Sequence, residues 1–201
     1  MTYSIVPIVE GQSEVESVPL LIRRLRDEWR EYGFRVEKPV RVKRYQVVKD
    51  GELERRIQLA LTRPDCAAIM IILDADDDCP KELAPDLLKR AKEMTSDVAV
   101  SVVMPKFEFE SWFVGSIESL RGFRGISSIA TIPSNPEDIR DAKGFLTNEM
   151  AGNNHYLEVD DQPALTANFD MALAYDNCRS FKKFHNDLRK IIAFISSLTV
   201  I

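Results

Sequence analysis

Several things are scarce in this chain, and each scarcity removes a class of chemistry. Cysteine occurs three times, as Cys66, Cys79 and Cys178. An odd number with no CxxC spacing does not build a disulfide framework and points to a reducing, cytoplasmic setting. Histidine occurs twice, as His155 and His185, far apart. Neither HExxH nor a histidine cluster can be made from them, so zinc hydrolases and histidine-built nucleases drop out. Glycine-rich phosphate loops are missing as well. Neither GxGxxG nor GxxxxGK[ST] occurs, which leaves an ATP or dinucleotide site without support. No apolar run approaches the roughly 18 residues of a membrane span. The opening MTYSIVPIVE lacks a basic segment and reaches a glutamate at position 10, unlike a secretory signal. No repeat or low-complexity tract is visible.

What is present is the composition of a globular protein. The chain has 201 residues, 45% hydrophobic and 29% charged. That suits one compact domain with a small appendage and excludes a disordered chain. Lys and Arg total 27 against 32 Asp and Glu, so 27 − 32 gives −5. A net-acidic chain argues against an autonomous grip on nucleic acid. Local basic groups exist at Arg23/Arg24/Arg26/Arg30, Arg41/Lys43/Arg44 and Lys182/Lys183/Arg189/Lys190. Most of them read as solvated helix faces.

Strand and helix patterns alternate through the first half. Residues 3–9 (YSIVPIV) form a short β-branched run, a buried strand despite Pro7. Residues 13–31 carry Leu20, Leu21, Leu25 and Trp29 at helical spacing. Residues 34–48 look extended. Leu53, Ile57 and Leu61 predict a helix over 51–62. The runs AAIMIIL (67–73) and VAVSVVM (98–104) are continuous enough for strands buried on both faces, with a helix over 80–94 between them. This order predicts a Rossmann-like parallel α/β sheet with right-handed crossovers and flanking helices. Beyond Pro105, helices are expected over 108–120, 136–149, 162–175 and 180–197, with turn-rich loops at 122–136 and 152–161. The division expected is an α/β core over 1–121 and a helical extension over 122–201 packed on it.

Acids follow three of these strands. The first runs into Glu10-Gly-Gln-Ser-Glu14, the third apolar strand into Asp74-Ala-Asp76-Asp77-Asp78, and the fourth into Glu108-Phe-Glu110. Parallel strands place all three clusters at one edge, where open α/β sheets bind ligands. Carboxylates so concentrated repel each other unless a cation compensates them or some hold protons. Mg²⁺, Mn²⁺ and Ca²⁺ prefer oxygen ligands. In an extended backbone Asp74 and Asp76 point to the same side. Each acid also has a structural reading. Ser13 and Glu16 fit a capping box. Asp78 fits the cap of the helix that Pro80 opens, and Asp77 a solvated surface. Glu108 and Glu110 fit the first turn of a helix. Lys143 reads first as a surface lysine. Trp112, Phe113, Phe107 and Phe109 read as core or turn anchors, and His155 as a loop residue.

Glu10-Gly-Gln-Ser-Glu14 after a strand resembles the EGxTE signature of Toprim-like domains in OLD-family nucleases. Asp74-Ala-Asp76 resembles the Toprim DxD, and Phe109-Glu-Ser-Trp112 the FExW of related defence proteins. Over nearly its full length, including Lys143 and the 180–184 stretch SFKKF, the chain resembles the Toprim-like bacterial family catalogued as domain of unknown function 4276. Ser13 stands where threonine is commoner. The resemblance implies a Mg²⁺- or Mn²⁺-dependent phosphoryl-transfer centre with two ions. Glu10 then serves as acid/base or metal ligand, and Asp74 and Asp76 hold metal. Glu14 and Glu110 serve a second ion, and Lys143 neutralises the transition state. It further implies nucleic acid as substrate, a role in phage defence and a separate ATPase partner.

Two other readings stand beside the nuclease. One is a catalytically inactive regulatory subunit of an ATPase complex, motivated by the net charge. The other uses Asp74 as a covalent nucleophile, as in dehalogenase-like phosphatases, although those place the motif after their first strand.

Overall fold

The computed structural model describes residues 2–49 and 51–198. Strand β1 spans Tyr3–Val9 and helix α1 Glu14–Trp29. The extended segment divides into β2 (Phe34–Val36) and β3 (Val40–Arg41). Both pair parallel to β1, with Tyr3 opposite Phe34 and Ile8 opposite Val40. They are two pieces of one edge strand, broken where Pro39 lacks an N–H to donate. The last third of this segment is not extended, because residues Arg44–Val47 close a helical turn, α2. Helix α3 (Glu52–Leu61) leads to β4 (Cys66–Ile72), and α4 (Pro80–Glu93) to β5 (Ala99–Val103).

The sheet order is β2-β1-β4-β5, with β3 also against β1, and every pairing is parallel. The period-2 geometry of a strand divides the core in two. Ile5, Val9, Ala68, Met70 and Ile72 face one side with Leu21, Ile22 and Leu25 of α1. Val6, Ile8, Ile69 and Ile71 face the other with Leu53 and Ile57 of α3 and Leu87 of α4. The chain first crosses outward from β1 to β2, then back across β1 to β4 and β5. A single crossover hand therefore puts α1 on one face and α3 and α4 on the opposite face. The reversal falls between β1 and β4, the switch point at which open α/β sheets have their ligand crevice.

The second half is more broken than periodicity predicts. The expected helix over 108–120 is a short α5 (Ser111–Val114) followed by a 3₁₀ turn at Ile117–Leu120. The break comes at Gly115, where an added Cβ would lie 2.3 Å from Cys178 Sγ. The backbone there is pressed against the next layer. The expected helix over 136–149 is a 3₁₀ turn at Pro136–Asp138 and then α6 (Ala142–Asn148). In place of one helix over 162–175, α7 (Glu158–Asn168) begins inside the expected loop and α8 (Met171–Asn177) follows. Helix α7 is capped at Phe169, and Asp170 starts α8, accepting from the Ala172 and Leu173 N–H groups. Helix α9 (Arg179–Leu198) matches expectation closely.

These helices share the core of the α1 face. Trp112 is fully buried, with the rings of Phe109, Phe181 and Phe184 at 4.5, 5.2 and 5.4 Å. Its Nε1 donates to Ser180 Oγ at 2.7 Å. Arg24 is not a solvated arginine. It donates to the Thr166 and Phe169 carbonyls at 2.6 and 2.9 Å and closes the end of α7. Among the described residues no helix is long and apolar enough to cross a membrane.

Trp112→Ala should cost about 3–5 kcal/mol through the cavity it leaves, read from urea unfolding. Trp112→Phe should cost less than half as much. A loss under about 1 kcal/mol for the alanine variant would contradict this packing.

Candidate active site at the carboxyl edge of the sheet

The crevice between β1 and β4 collects acids from several directions. Glu10 leaves the end of β1, Glu14 stands in the first turn of α1, and Asp74 lies two residues past β4. The turn after β5 supplies Glu108 and Glu110. The second half adds Lys143 from α6 and Tyr156, Glu158 and Gln162 from the start of α7 and just before it.

The capping-box reading of Ser13 and Glu16 is overturned. Ser13 makes no side-chain cap bond and Glu16 is exposed. Instead Glu14, 4% exposed, turns back, and its Oε2 accepts from the Glu10 N–H at 2.9 Å. Gly11 gives it room, because a Cβ there would lie 3.2 Å from Glu14 Oε1. Burial raises the Glu14 carboxyl from the usual 4.5 to about 7, with Glu110 and Glu10 adding repulsion against the pull of nearby backbone N–H groups.

Glu110 is fully buried. Its Oε1 accepts from Tyr156 Oη at 2.9 Å and Gln162 Nε2 at 3.2 Å. These fixed bonds argue against a mere helix-start charge. Lys143 Nζ stands 3.6 Å from Glu108 Oε1, 3.7 Å from Glu110 Oε2 and 3.4 Å from Glu158 Oε2. The reading of Lys143 as a solvated surface lysine therefore fails. Burial pulls its pKa down, but Glu110, Glu108, Glu158 and Asp74 outweigh this and raise it. Burial also raises Asp74 well above the carboxylate range, helped by Glu14 and Glu110. Glu10 rises for the same first reason, moderated by the Arg44 backbone and guanidinium and increased by Asp76.

Asp74 and Asp76 do not share one extended face. Asp76 has φ 51°, the left-handed region that aspartate tolerates, and is exposed at the rim. Asp78 does not cap α4, whose N-cap is Cys79. It pairs with Arg44, which is 6% exposed and also donates Nε to the Asp74 carbonyl at 3.1 Å. Asp77 pairs with Arg140 on the surface.

The structure thus brings Glu10, Glu14, Asp74, Glu110 and Lys143 together, with Asp76 at the mouth. Sequence reasoning did not place Tyr156, Glu158, Gln162 or Arg44 here. Arg44 carried a signal, because it stands in phase with Val40 and Val42, the apolar side of an extended stretch. The other three had none, because they reach the site through tertiary packing alone.

One ammonium cannot balance so many carboxylates, so several hold protons or a further cation is taken up. Glu10 Oε2 and Glu110 Oε2 are buried without a hydrogen-bond partner. Carboxylate oxygens that accept no hydrogen bond suit a hard divalent cation, although Lys143 Nζ already stands 3.7 Å from Glu110 Oε2. Among the described residues, no three Asp, Glu, His or Cys side chains already converge at ligating positions.

One protein-family model, described as Domain of unknown function (DUF4276), matches residues 9–189, and the chain belongs to that family. No curated protein and no solved structure matches the chain. The matched span contains every residue of the crevice named above.

Two expectations follow for stability. The raised Glu14 carboxyl means the folded state binds the extra proton between pH 4.5 and about 7. Stability should therefore be highest below that window and fall as pH rises through it, by up to about 3 kcal/mol at about 1.4 kcal/mol per unit. Glu14→Gln should flatten this slope in urea unfolding from pH 4 to 8, and an unchanged slope would contradict the assignment. Lys143→Met strips the neighbouring acids of their cation. It should cost about 1–3 kcal/mol at pH 8 and less at pH 5, where protonation substitutes for the lost ammonium.

Proposed function

We propose that this member of the family is a metal-dependent phosphodiesterase, a nuclease or related phosphoryl-transfer enzyme acting on nucleic acid. The carrying observation is the set of buried and half-buried carboxylates at the β1/β4 crevice, two of them with an oxygen that accepts no hydrogen bond, beside one half-buried lysine. The likeness of Glu10-Gly-Gln-Ser-Glu14 and Asp74-Ala-Asp76 to Toprim motifs supports the same chemistry.

In this reading Glu10, Asp74 and Asp76 would hold one Mg²⁺ or Mn²⁺, and Glu14 and Glu110 a second. When bound, such ions supply an activated water and neutralise charge on a pentacoordinate phosphate. The chain's own residues do the rest. Glu10, half-buried with a free Oε2, holds or releases a proton at the crevice mouth. Lys143 stays charged at neutral pH, because its acids raise its pKa. It therefore acts on phosphoryl oxygens as a fixed positive charge, not as a proton donor. Tyr156 and Gln162 anchor Glu110 Oε1 and keep its other oxygen facing Lys143.

A second reading has its own support. Lys143 already occupies the space among Glu108, Glu110 and Glu158 as a resident cation. The chain would then be a catalytically inactive subunit, binding an ATPase partner through this scaffold.

Calorimetric titration with Mn²⁺ separates the two. Wild type should bind, while Asp74→Asn and Glu10→Gln should lose affinity by about tenfold or more with circular dichroism unchanged. The same variants should lose about 100-fold or more of plasmid-cleaving activity. Absence of binding heat in wild type would favour the subunit reading.

A further inference from the structure

The edge strand and the turn after it carry an unusual surface for so acidic a chain. From Val40 to Tyr45 burial alternates strictly: Val40, Val42 and Arg44 point inward, while Arg41, Lys43 and Tyr45 are exposed. Arg41 donates Nε to the Glu10 carbonyl at 3.4 Å and Nη1 to Gln12 Oε1 at 2.6 Å, so this exposed row starts at the crevice itself. Beside it lies an open cleft of about 700 Å³ between α1 and the β2–β3 edge, lined by Arg23, Lys38 and Arg41 with Glu16 as its one acid. Among the described residues, none of Arg23, Lys38, Arg41 or Lys43 has a carboxylate at ion-pair distance. Most other cations near the crevice do: Lys106 with Asp138, Arg140 with Asp77, Arg44 with Asp78. Tyr45 is 57% exposed, and the Lys43 and Lys49 ammonium groups stand 5.8 and 5.4 Å from its ring centroid. An aromatic left in solvent between cations is the arrangement that stacks an unpaired base while the cations hold its phosphates.

We infer that Arg23, Lys38, Arg41, Lys43 and Tyr45 form a track for single-stranded nucleic acid leading to the crevice. The inference takes from the proposed function only the substrate class. The unpaired cations hold the phosphodiester backbone and Tyr45 stacks one base. The local positive charge concentrates substrate despite the net charge of −5. A single strand fits better than a duplex, because a stacked duplex offers Tyr45 no free base face except at its ends.

The test measures fluorescence anisotropy of a labelled oligothymidylate with the full-length protein in EDTA, across a salt series. Neither metal nor cleavage is needed. Arg41→Glu/Lys43→Glu should weaken binding by tenfold or more and reduce the salt slope by about 1–2. Tyr45→Ala should weaken it by about fivefold or more, and Tyr45→Phe should restore it. The charge-matched Lys89→Glu/Lys92→Glu, on the exposed side of α4, should bind like wild type. No binding by wild type overturns the track. So does an equal loss in the control pair, or an unchanged affinity in both track variants. Equal binding of duplex with no effect of Tyr45→Ala overturns the single-strand assignment. Wild-type cleavage that survives the track variants would sink the track and leave the proposed function standing. Intact, Tyr45-dependent binding without cleavage would do the reverse.

Discussion

An ionised carboxylate taken out of water costs several kcal/mol unless a cation or fixed donors offset it. That constraint governs the whole carboxyl edge of this sheet. Glu14 and Glu110 are buried and Asp74 partly so. The two buried ones are tied to the compensation they receive: the Glu10 N–H for Glu14, and Tyr156, Gln162 and Lys143 for Glu110. The compensation is incomplete, which is why the acids here are pushed toward their protonated forms. Buried acids whose protonation equilibria are shifted this way mark the edge as a candidate site.

The same constraint explains the second half of the chain. Helices α6 and α7 are short and their apolar faces modest. What they deliver is Lys143, Glu158 and Gln162, placed over the ends of β1 and β4. Their positions are held by local devices: Asp141 accepting from Gly144, Asp161 accepting from Leu157 and Arg124, and Tyr156 N–H donating to Thr147. Beneath them the aromatic cluster around Trp112 joins α5 to α9. Core and site are therefore built by neighbouring residues: Phe109 and Trp112 pack inward while Glu110 between them faces the crevice.

How legible this was in the sequence depended on period. The strands at Tyr3–Val9, Cys66–Ile72 and Ala99–Val103 were readable because strands buried on both faces are continuous apolar runs, and α9 because its stripe is long. The expected helices over 108–120 and 162–175 are broken in the structure, at Gly115 and Asp170, for tertiary reasons. Glu10, Glu14, Asp74 and Glu110 were legible as acids at strand ends. The way Glu14 turns back was not, since it competes with the Ser13 capping signal and prevails through burial. Lys143 could not be told from a surface lysine by any local pattern, because its partners lie 35, 33 and 15 residues away, at Glu108, Glu110 and Glu158.

The sequence by itself determined the parallel α/β architecture and the edge at which its acids gather. Strand periodicity and crossover direction are local or near-local properties, and a parallel sheet leaves its carboxyl ends no choice of side. Only the tertiary structure decided which acids are buried, which cation sits among them and which arginines are left unpaired. Burial and charge balance are sums over residues distant in the chain. Asp74 and Asp76 show the difference most plainly. They are two positions apart in sequence, yet one is drawn into the crevice among Glu14, Glu110 and Lys143, while the other turns through a left-handed conformation to its rim.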